Sequence, residues 1–423
     1  MLETVMDRLP DAAALLSLLL MGACGVGLAL RLLRVLRGQE AADGLTRRSA
    51  FAPGASLLAA AGVGLLSRLA LYGLAYAMYR LLGVGNDGPL ESLAPLWTHW
   101  DTRHYIGIAQ EGYTAVGDER LRLVFFPLYP ALMRLVSPLT GGNLFAAGLL
   151  VSLACSAAAT ALVYDLSYLH FGRRTARRSV AYFLLSPLSV FLCCAYTEAL
   201  FICLTLAAVC LLRRGHPWLA ALCGALSALT RMPGVIVAGL FIVETLGKIP
   251  QKRANARALL ACAGQVLLVF SGLFVYWLIN WLVTGDPLMY MTYQRENWFQ
   301  RPGTFWGSTA NTAYYALTDF GQDDWFFSWG AQLAAMFAVY ALLALRENEL
   351  PFDLAAYSFV YVAVVLSPTW LLSGPRYLYA LAPLPLLLAR MTQSRRAHAV
   401  LLSLSAALLV VFTFGYTIAV DVL

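Results

Sequence analysis

Residues 12–33 read AAALLSLLLMGACGVGLALRLL, an apolar run in which Arg31 carries the only charge. A helix of about 20 apolar residues is long enough to cross the hydrocarbon core of a bilayer. Runs of this kind recur along all 423 residues, of which 60% are hydrophobic and 13% are charged. A soluble domain carries charges at about 25% of its positions. The sequence therefore predicts an all-α, polytopic integral membrane protein.

The net charge of +7 is distributed in a way that predicts topology rather than nucleic-acid binding. The basic residues lie in short gaps between apolar runs, as they do in cytoplasmic loops under the positive-inside rule. They cluster at Arg31, Arg34, Arg37, Arg47 and Arg48, at Arg173, Arg174, Arg177 and Arg178, at Arg213 and Arg214, at Lys248, Lys252, Arg253 and Arg257, and at Arg395 and Arg396. Acidic residues precede the run 12–33 and arginines follow it, which favours an uncleaved first span that enters from the outside.

The alternation of basic and non-basic gaps predicts about 12 crossings within one domain, residues 1–423. The expected spans are 12–33, 52–82, 143–170, 178–195, 198–213, 217–231, 233–247, 257–283, 327–345, 353–371, 376–391 and 397–420. The adjacent spans 217–231 and 233–247 are short, which favours tilted or partly re-entrant helices.

Two long gaps, 83–142 and 284–326, fall on the predicted outer side and are expected to form the active-site face. Within the first, residues 123–136 are apolar but interrupted by Pro127 and Pro130. This pattern favours a helix that lies along the membrane interface over one that crosses it.

The sequence predicts neither a metal site nor a cofactor. The cysteines fall inside apolar runs without the spacing of metal ligands. Asp319, Asp323 and Asp324 form an acidic cluster without a nearby histidine, which is typical of a solvated loop. A glycine-rich phosphate-binding loop is absent from the sequence.

The stretch WTHWDTRHYIGIAQEGY, residues 97–113, concentrates ionisable and aromatic side chains between apolar runs. As one helix, residues 97–108 would place Trp97, Asp101, His104 and Tyr105 on one face. One interpretation is an interfacial helix with an aromatic belt and an Asp–His hydrogen bond. The other is a reaction centre.

A resemblance favours the reaction centre. WDTRHYIGIAQEGY and FFPLYPALMRLV resemble a motif of the PIG-V-like family, which contains the second mannosyltransferase of GPI-anchor assembly and its bacterial relatives. The similarity continues, in order, through AYTEALF (195–201), LSALTRMPG (226–234), TGDPLMYMTYQRENW (284–298) and SGPRYLYALAPL (373–384). The family belongs to the GT-C glycosyltransferases, so the resemblance implies a GT-C-like fold whose large first exterior loop carries interfacial helices. The extra span 12–33 departs from the family pattern.

On this resemblance, Asp101 matches the acidic residue that GT-C enzymes place near the acceptor hydroxyl, and it is predicted to be the catalytic base. A lipid phosphate leaves as a stable anion, so one base and cations that hold the phosphate are sufficient. His104 either orients Asp101 or contacts that phosphate. The predicted donor phosphate-binding residues are Arg376, Arg231 and Arg103, of which Arg103 is turned away from Asp101. Snorkelling to lipid headgroups is the alternative for Arg376 and Arg231.

The remaining substrate-binding predictions lie in or beside the same motifs: Trp97, Trp100, Tyr105, Glu198, Gln294, Trp298 and Tyr377. For Glu198, at the outer end of a span, a structural ion pair with an arginine is favoured over catalysis. Gln294 and Trp298 either contact sugar by hydrogen bonding and stacking or pack their loop.

The resemblance implies an inverting glycosyltransferase that moves a sugar, with mannose favoured, from a polyprenyl-phosphate donor to an acceptor hydroxyl at the outer membrane face. The expected partners are that donor, a glycan or glycolipid acceptor and membrane lipid, without nucleic acid. The alternative is a transporter or flippase, or a non-catalytic binder, of lipid-linked sugars. A transporter predicts ionisable residues at mid-membrane in matched halves. The scarcity of lysine, two among 30 basic residues, favours a bacterial inner (plasma) membrane protein whose active site faces the periplasm.

Overall fold

The structure is a computed structural model that describes residues 2–45, 49–322 and 324–419. Within these ranges the chain consists of helices and connecting segments without a β-strand, which confirms the all-α prediction. The predicted positions Arg47, Arg48 and Asp323, and the last residue of the predicted span 397–420, lie outside the described residues.

The α-helices are α1 Leu2–Leu36, α2 Gly54–Leu81, α3 Leu93–Trp97, α4 Asp101–Glu111, α5 Leu128–Val136, α6 Leu144–Leu184, α7 Glu198–Arg213, α8 Pro217–Thr230, α9 Ala238–Gly247, α10 Ala256–Thr284, α11 Met289–Asn297, α12 Phe305–Thr318, α13 Trp329–Arg346, α14 Phe352–Val365, α15 Gly374–Tyr379, α16 Leu384–Met391 and α17 Arg395–Thr417. Short 3-10 segments occur at Asp118–Val124, Ser137–Thr140, Pro187–Cys193, Met232–Val237 and Glu347–Glu349.

Six helices in the described part of the chain are long and apolar enough to cross a membrane, or eight spans if each of two bent helix pairs counts as one. The six are Arg8–Leu36, Gly54–Leu81, Leu144–Leu184, Ala256–Thr284, Trp329–Glu349 and Arg395–Thr417. The bent pairs are Asp118–Val124 with Leu128–Thr140, at 106°, and Pro187–Cys193 with Glu198–Arg213, at 99°. The structure therefore agrees with an integral membrane protein but gives six to eight candidate spans, not the predicted 12.

The difference arises where the apolar runs are bent or short. The predicted spans 143–170 and 178–195 are joined in α6, which kinks at Gly172 with φ of 79°, a value that suits glycine. The apolar helices Pro217–Thr230, Met232–Gly247 and Phe352–Val365 are short, each between 10 and 17 residues long. At 1.5 Å per residue they reach at most about 25 Å. This is less than the hydrocarbon core of about 30 Å.

The arginine-rich segments meet buried carboxylates at one end of the helices. Arg213 Nη2 lies 2.6 Å from Asp353 Oδ2, and both side chains are almost fully buried. Arg214 pairs with Asp165. These pairs join α7 to α14 and to α6 at the end where the positive-inside pattern predicts the cytoplasm.

Arg68, in the middle of α2, holds the irregular segment that follows α6. Its side chain is buried, with the residue 1% exposed. Nη2 donates a hydrogen bond to the Leu184 carbonyl at 2.8 Å, and Nη1 donates to the Ser189 carbonyl. Carbonyls at the end of a helix lack partners inside that helix. Arg68 therefore fixes the course of the chain that leads into Glu198 at the start of α7.

We expect Arg68→Ala to lower the melting temperature of the detergent-solubilised protein. The Ser189 carbonyl loses the hydrogen bond from Arg68, and the Leu184 carbonyl keeps only the one from the Ser189 hydroxyl. The loss of a hydrogen bond to a buried carbonyl costs about 1–3 kcal/mol. Labelling of the buried Cys193 and Cys194 by a thiol-reactive fluorophore during heating measures the transition. Arg80→Ala is the matched control, because Arg80 is exposed near the end of the same helix. Equal melting temperatures for the two variants would contradict the role given to Arg68.

The two long gaps that are predicted to be exterior contact each other. The rings of Phe125, in 83–142, and Trp298, in 284–326, have centroids 6.3 Å apart. Tyr276, near the end of α10, donates a hydrogen bond to the Leu123 carbonyl at 2.5 Å. Both gaps therefore contribute to one surface.

The predicted interfacial segment 123–136 is helical only from Leu128, because Pro127 interrupts it. Tyr129 and Met133 of α5 are fully buried, whereas Leu135 is 73% exposed. The Tyr129 hydroxyl donates to the Gly148 carbonyl of α6 at 2.8 Å. One face of α5 is thus packed against the helices, and the other carries the exposed Arg134 and Leu135.

The stretch 97–113 forms two helices instead of one. α3 ends at Trp97 and α4 begins at Asp101, and between them Trp100 adopts φ of 40°. A left-handed residue ends a right-handed helix. Trp97 therefore does not share a helix with Asp101, which corrects the prediction of a single helix over 97–108.

Candidate active site at the start of α4

Asp101 is the first residue of α4, where the partial positive charge of the helix N-terminus favours a carboxylate. The turn before it is held by two hydrogen bonds. The Tyr196 hydroxyl donates to the His99 carbonyl at 3.0 Å, and the Thr102 hydroxyl donates to the Trp97 carbonyl at 3.3 Å. The Asp101 side chain remains 26% exposed, so its carboxylate is accessible to a ligand.

Asp101 belongs to a set of four charged residues, Asp101, Arg376, Glu198 and Arg231, which we call the charge cluster. Arg376 Nη2 lies 2.8 Å from Asp101 Oδ2 and 2.6 Å from Glu198 Oε1. Arg376 Nε donates to the same Glu198 oxygen at 2.9 Å, and Arg231 Nη1 donates to it at 2.7 Å. The cluster joins residues that are up to 275 positions apart in the chain.

Within the charge cluster, Glu198 is the most buried side chain and Asp101 the most exposed. Side-chain exposure falls from 26% for Asp101 to 0% for Glu198, with Arg376 at 9% and Arg231 at 14%. With both carboxylates ionised the cluster is electrically neutral, which is the condition under which buried charges are tolerated. Glu198 Oε2 has no hydrogen-bond partner within the described part of the protein. The cluster is closed at Glu198 and open at Asp101.

Aromatic rings surround both arginines. Arg376 Cζ lies 4.9 Å from the ring centroid of Phe191 and 4.7 Å from that of Tyr196. Arg231 Cζ lies 4.9 Å from the ring centroid of Tyr377. A guanidinium over a ring face gains cation–π energy and loses side-chain freedom. The two positive charges are therefore fixed in place before any ligand binds.

His104 lies one turn after Asp101 on α4. Its imidazole stacks on Phe125 with centroids 4.6 Å apart and an interplanar angle of 18°. Burial lowers the pKa of His104, the charge of Asp101 opposes this, and Arg122 adds to the lowering. The lowered pKa favours the neutral imidazole. No hydrogen bond joins its side chain to Asp101 in the described structure, so the geometry gives no direct support for an orienting role.

The other predicted residues divide into those near the charge cluster and those that pack behind it. Tyr377 lies under Arg231, whereas Trp97, 1% exposed, packs edge-on against Tyr72 with centroids 5.0 Å apart. Tyr105 is buried, and its ring packs edge-on against Phe125 with ring centroids 5.4 Å apart.

Three further predictions lie around the rim. Trp298 reaches Phe125, and the Gln294 carbonyl accepts a hydrogen bond from the Trp298 backbone nitrogen at 3.0 Å. Arg103 is exposed. The pKa of His99 is lowered mainly by the burial of its imidazole and, to a smaller extent, by the positive charge of Arg103. It makes no ion pair with the charge cluster among the described residues.

Sequence reasoning missed His99 and Tyr416 as neighbours of this site. The Tyr416 ring, on α17, lies 5.1 to 5.4 Å from the rings of Trp97, His99 and Trp100 by centroids. His99 Nε2 and Trp97 Nε1 are buried and lack hydrogen-bond partners within the described residues. His99 could have been noticed because it lies in the same motif. Tyr416 lies in an apolar run without any polar pattern around it, so nothing pointed to it.

Among the described residues, no group of three or more His, Cys, Asp or Glu side chains could hold a metal ion. Arg376 and Arg231 are the cations of the charge cluster, and Arg376 is the one that contacts the partly exposed Asp101.

Comparisons with known proteins match this chain to mannosyltransferases. Residues 90–293 match the family model described as Mannosyltransferase (PIG-V). GPI alpha-1,6-mannosyltransferase 2 of Cricetulus griseus is 34% identical over 166 residues, which cover 37% of this chain and 33% of that protein. The protein of the same name from Rattus norvegicus is 34% identical over 180 residues, covering 40% and 36%, and that of Homo sapiens is 33% identical over 165 residues, covering 36% and 32%.

The match spans about a third of the length of each of these relatives. No solved structure matches the chain. The matched residues nevertheless include three of the four members of the charge cluster, and they confirm the resemblance seen in the motifs. Residues 90–293, with Asp101, Glu198 and Arg231 among them, are therefore similar to the PIG-V mannosyltransferases.

Proposed function

We propose that this protein is a GT-C-like glycosyltransferase. It moves mannose from a polyprenyl-phosphate mannose donor to a hydroxyl of a glycan or glycolipid at the outer membrane face, with inversion at the anomeric carbon. The observation that carries the proposal is the contact between Asp101 and Arg376, 2.8 Å apart, because it joins a candidate base to a candidate phosphate-binding cation. The similarity to PIG-V mannosyltransferases supports mannose as the sugar.

The proposed unit is one domain over residues 1–423, with 83–142 and 284–326 forming the active-site face. The contact between Phe125 and Trp298 supports a common face. The basic pair Arg213 and Arg214 lies at the other end of α7, 15 and 16 positions after Glu198. Under the positive-inside rule this supports a charge cluster in the outer half of the membrane. We place the protein in a bacterial plasma membrane with this face toward the periplasm.

Donor binding begins with an exchange of partners at Arg376. Without ligand, the Asp101 carboxylate accepts a hydrogen bond from Arg376 and is already paired. A donor phosphate carries the same charge and binds a guanidinium well. It takes the place of Asp101 on Arg376 and frees the carboxylate for the acceptor. This exchange implies that the donor binds before the acceptor hydroxyl is activated.

In the chemical step Asp101 accepts the proton of the acceptor hydroxyl, and the acceptor oxygen forms a bond to the anomeric carbon. The bond from that carbon to the phosphate oxygen breaks, and polyprenyl phosphate leaves with the electron pair. The phosphate passes from one negative charge to two while Asp101 becomes neutral. The total charge of the site is unchanged, and the second phosphate charge forms beside Arg376 and Arg231, which are already in place.

The remaining predicted residues have supporting roles in this proposal. Trp298, Gln294 and Trp100, at the rim, contact the sugar or the acceptor. His104, neutral and stacked on Phe125, donates a hydrogen bond to the phosphate or the sugar. Trp97, Tyr105 and Tyr377 are buried or partly buried against this site, and they hold Asp101 and Arg231 in position. The exposure of Arg103 supports, at most, a peripheral contact with the donor.

A transfer assay tests the proposal. Purified protein in detergent is incubated with polyprenyl-phosphate mannose, labelled in the sugar, and a crude lipid and glycan extract as acceptor. We expect label to move into a product that no longer partitions with the donor. Polyprenyl-phosphate glucose, labelled at equal activity, is the matched control for the sugar.

The outcomes separate the candidate functions. Donor binding without transfer, in repeated acceptor extracts, would overturn the enzyme proposal in favour of a flippase or a binder of lipid-linked sugars. A flippase would in addition move the donor across the bilayer of a sealed vesicle. Transfer of glucose at the same rate as mannose would overturn the assignment of the sugar but retain the reaction class.

A further inference from the structure

A groove on the lipid-facing side of α2 lies apart from the charge cluster. It has a volume of about 470 Å³ and runs between α2 and the part of α6 that follows the kink at Gly172. Its wall is formed mainly by Ala59, Ala60, Val63, Val180, Ala181 and Leu184. Arg173 and Arg177 lie at one end.

The groove has the depth of a single membrane leaflet. Its lining residues on α2 run from Ser56 to Ser67, which is about 16 Å at a rise of 1.5 Å per residue. Half of a hydrocarbon core is about 15 Å. The arginine end is beside Ala52, whose backbone nitrogen donates to Asp165 at 3.1 Å. Asp165 pairs with Arg214, so this is the predicted cytoplasmic end.

The arginines at the mouth of the groove are not used by the protein itself. The neighbouring arginines, in contrast, do bind the protein. Arg178 Nη1 donates a hydrogen bond to the Gln393 carbonyl at 3.1 Å, and Arg174 donates to the same carbonyl at 3.5 Å. Arg173 and Arg177 are exposed, and neither forms an ion pair with another described residue. The exposed guanidinium groups of Arg173 and Arg177 therefore lie at the polar end of the apolar groove, without an ion-pair partner among the described residues.

We propose that this groove binds one anionic phospholipid of the cytoplasmic leaflet, with an acyl chain against the apolar wall and the phosphate on Arg173 and Arg177. The apolar length favours a lipid over free phosphate, which would gain nothing from the wall. The two neighbouring arginines favour an anionic headgroup over a zwitterionic one, because the quaternary ammonium of a zwitterionic headgroup offsets the negative charge of its phosphate. No acidic side chain among the residues that the structure describes pairs with Arg173 or Arg177 and competes with the lipid. The bound lipid covers Leu184, whose carbonyl is held by Arg68.

Native mass spectrometry of the full-length protein in detergent tests the site. The added lipids are phosphatidylglycerol and phosphatidylcholine with the same acyl chains. We expect one phosphatidylglycerol to be retained. Replacing both arginines, Arg173→Gln with Arg177→Gln, should lower its affinity by roughly 25-fold, since each basic residue near an anionic lipid contributes about a fivefold factor.

Two further variants make the result specific. Val63→Trp fills the groove while leaving both arginines, and Val63 is 50% exposed, so the change is compatible with folding. It should lower retention as well. Arg395→Gln with Arg396→Gln removes the same charge from another exposed site at the cytoplasmic end and should leave retention unchanged.

Three results would overturn the proposal. Equal retention of the two lipids would remove the anionic headgroup from it. An equal loss in the Arg395 and Arg396 variant would mean diffuse attraction to the whole basic surface. Full retention by Val63→Trp would mean that the headgroup alone is bound, without the groove. Mannose transfer is not needed for any of these readouts.

Discussion

Replacing Asp101 with asparagine is expected to abolish sugar transfer while the fold and donor binding are preserved. The amide has almost the same volume and can still accept a hydrogen bond from Arg376, but it cannot take a proton from the acceptor. A positioned base accounts for about 10²–10⁴-fold in rate. Donor affinity should stay equal or rise, because the phosphate no longer competes with a carboxylate for Arg376.

The measurement pairs single-turnover transfer with a direct donor-binding assay. Asp118→Asn is the matched control, since Asp118 lies in the same exterior gap and its side chain is fully exposed. That variant should transfer at the wild-type rate. If Asp101→Asn retained turnover within a few-fold of wild type, Asp101 would not be the base. If it lost donor binding together with transfer, its role would be to position Arg376.

Much of the candidate site could be predicted from the sequence, because charge in an apolar chain is expensive and therefore informative. Asp101, Glu198, Arg231 and Arg376 were each noticeable as ionisable residues at the ends of apolar runs. Their mutual contacts could not be predicted, because the pairing of Arg376 with Asp101 depends on how α15 packs beside α4. The expected ion pair of Glu198 is present, but with two arginines on one oxygen instead of one.

The fold could be predicted as to class but not as to the number of spans. Hydropathy reports how apolar a segment is, and the protein interior is as apolar as lipid, so buried short helices such as α8 and α14 read as spans. The break after Trp97 was also invisible to periodicity. It depends on the left-handed conformation of Trp100, a residue whose type does not indicate positive φ.

Glu198→Gln is expected to be among the most destabilising conservative substitutions in this protein. Glu198 is fully buried and compensates both Arg376 and Arg231. Its neutralisation leaves two buried positive charges with Asp101 as their only ionised partner. Breaking a buried ion pair by removal of one partner costs about 3–5 kcal/mol. The melting temperature in detergent measures the loss, and Glu349→Gln is the matched control, because Glu349 is 24% exposed and pairs with Arg390.

The same variant distinguishes a structural Glu198 from a catalytic one. If Glu198 holds the arginines, polyprenyl phosphate should raise the melting temperature of Glu198→Gln more than that of the wild type, since the ligand supplies the missing negative charge. A variant as stable as the wild type but inactive would instead assign Glu198 a direct part in the reaction. A variant that is stable and active would contradict the charge cluster as the framework of the site. Glu198 Oε2 has no hydrogen-bond partner among the described residues, so the contacts of this buried carboxylate with Arg376 and Arg231 are made by Oε1. The increase in melting temperature on ligand binding therefore tests directly whether the charge of Glu198 compensates the two arginines.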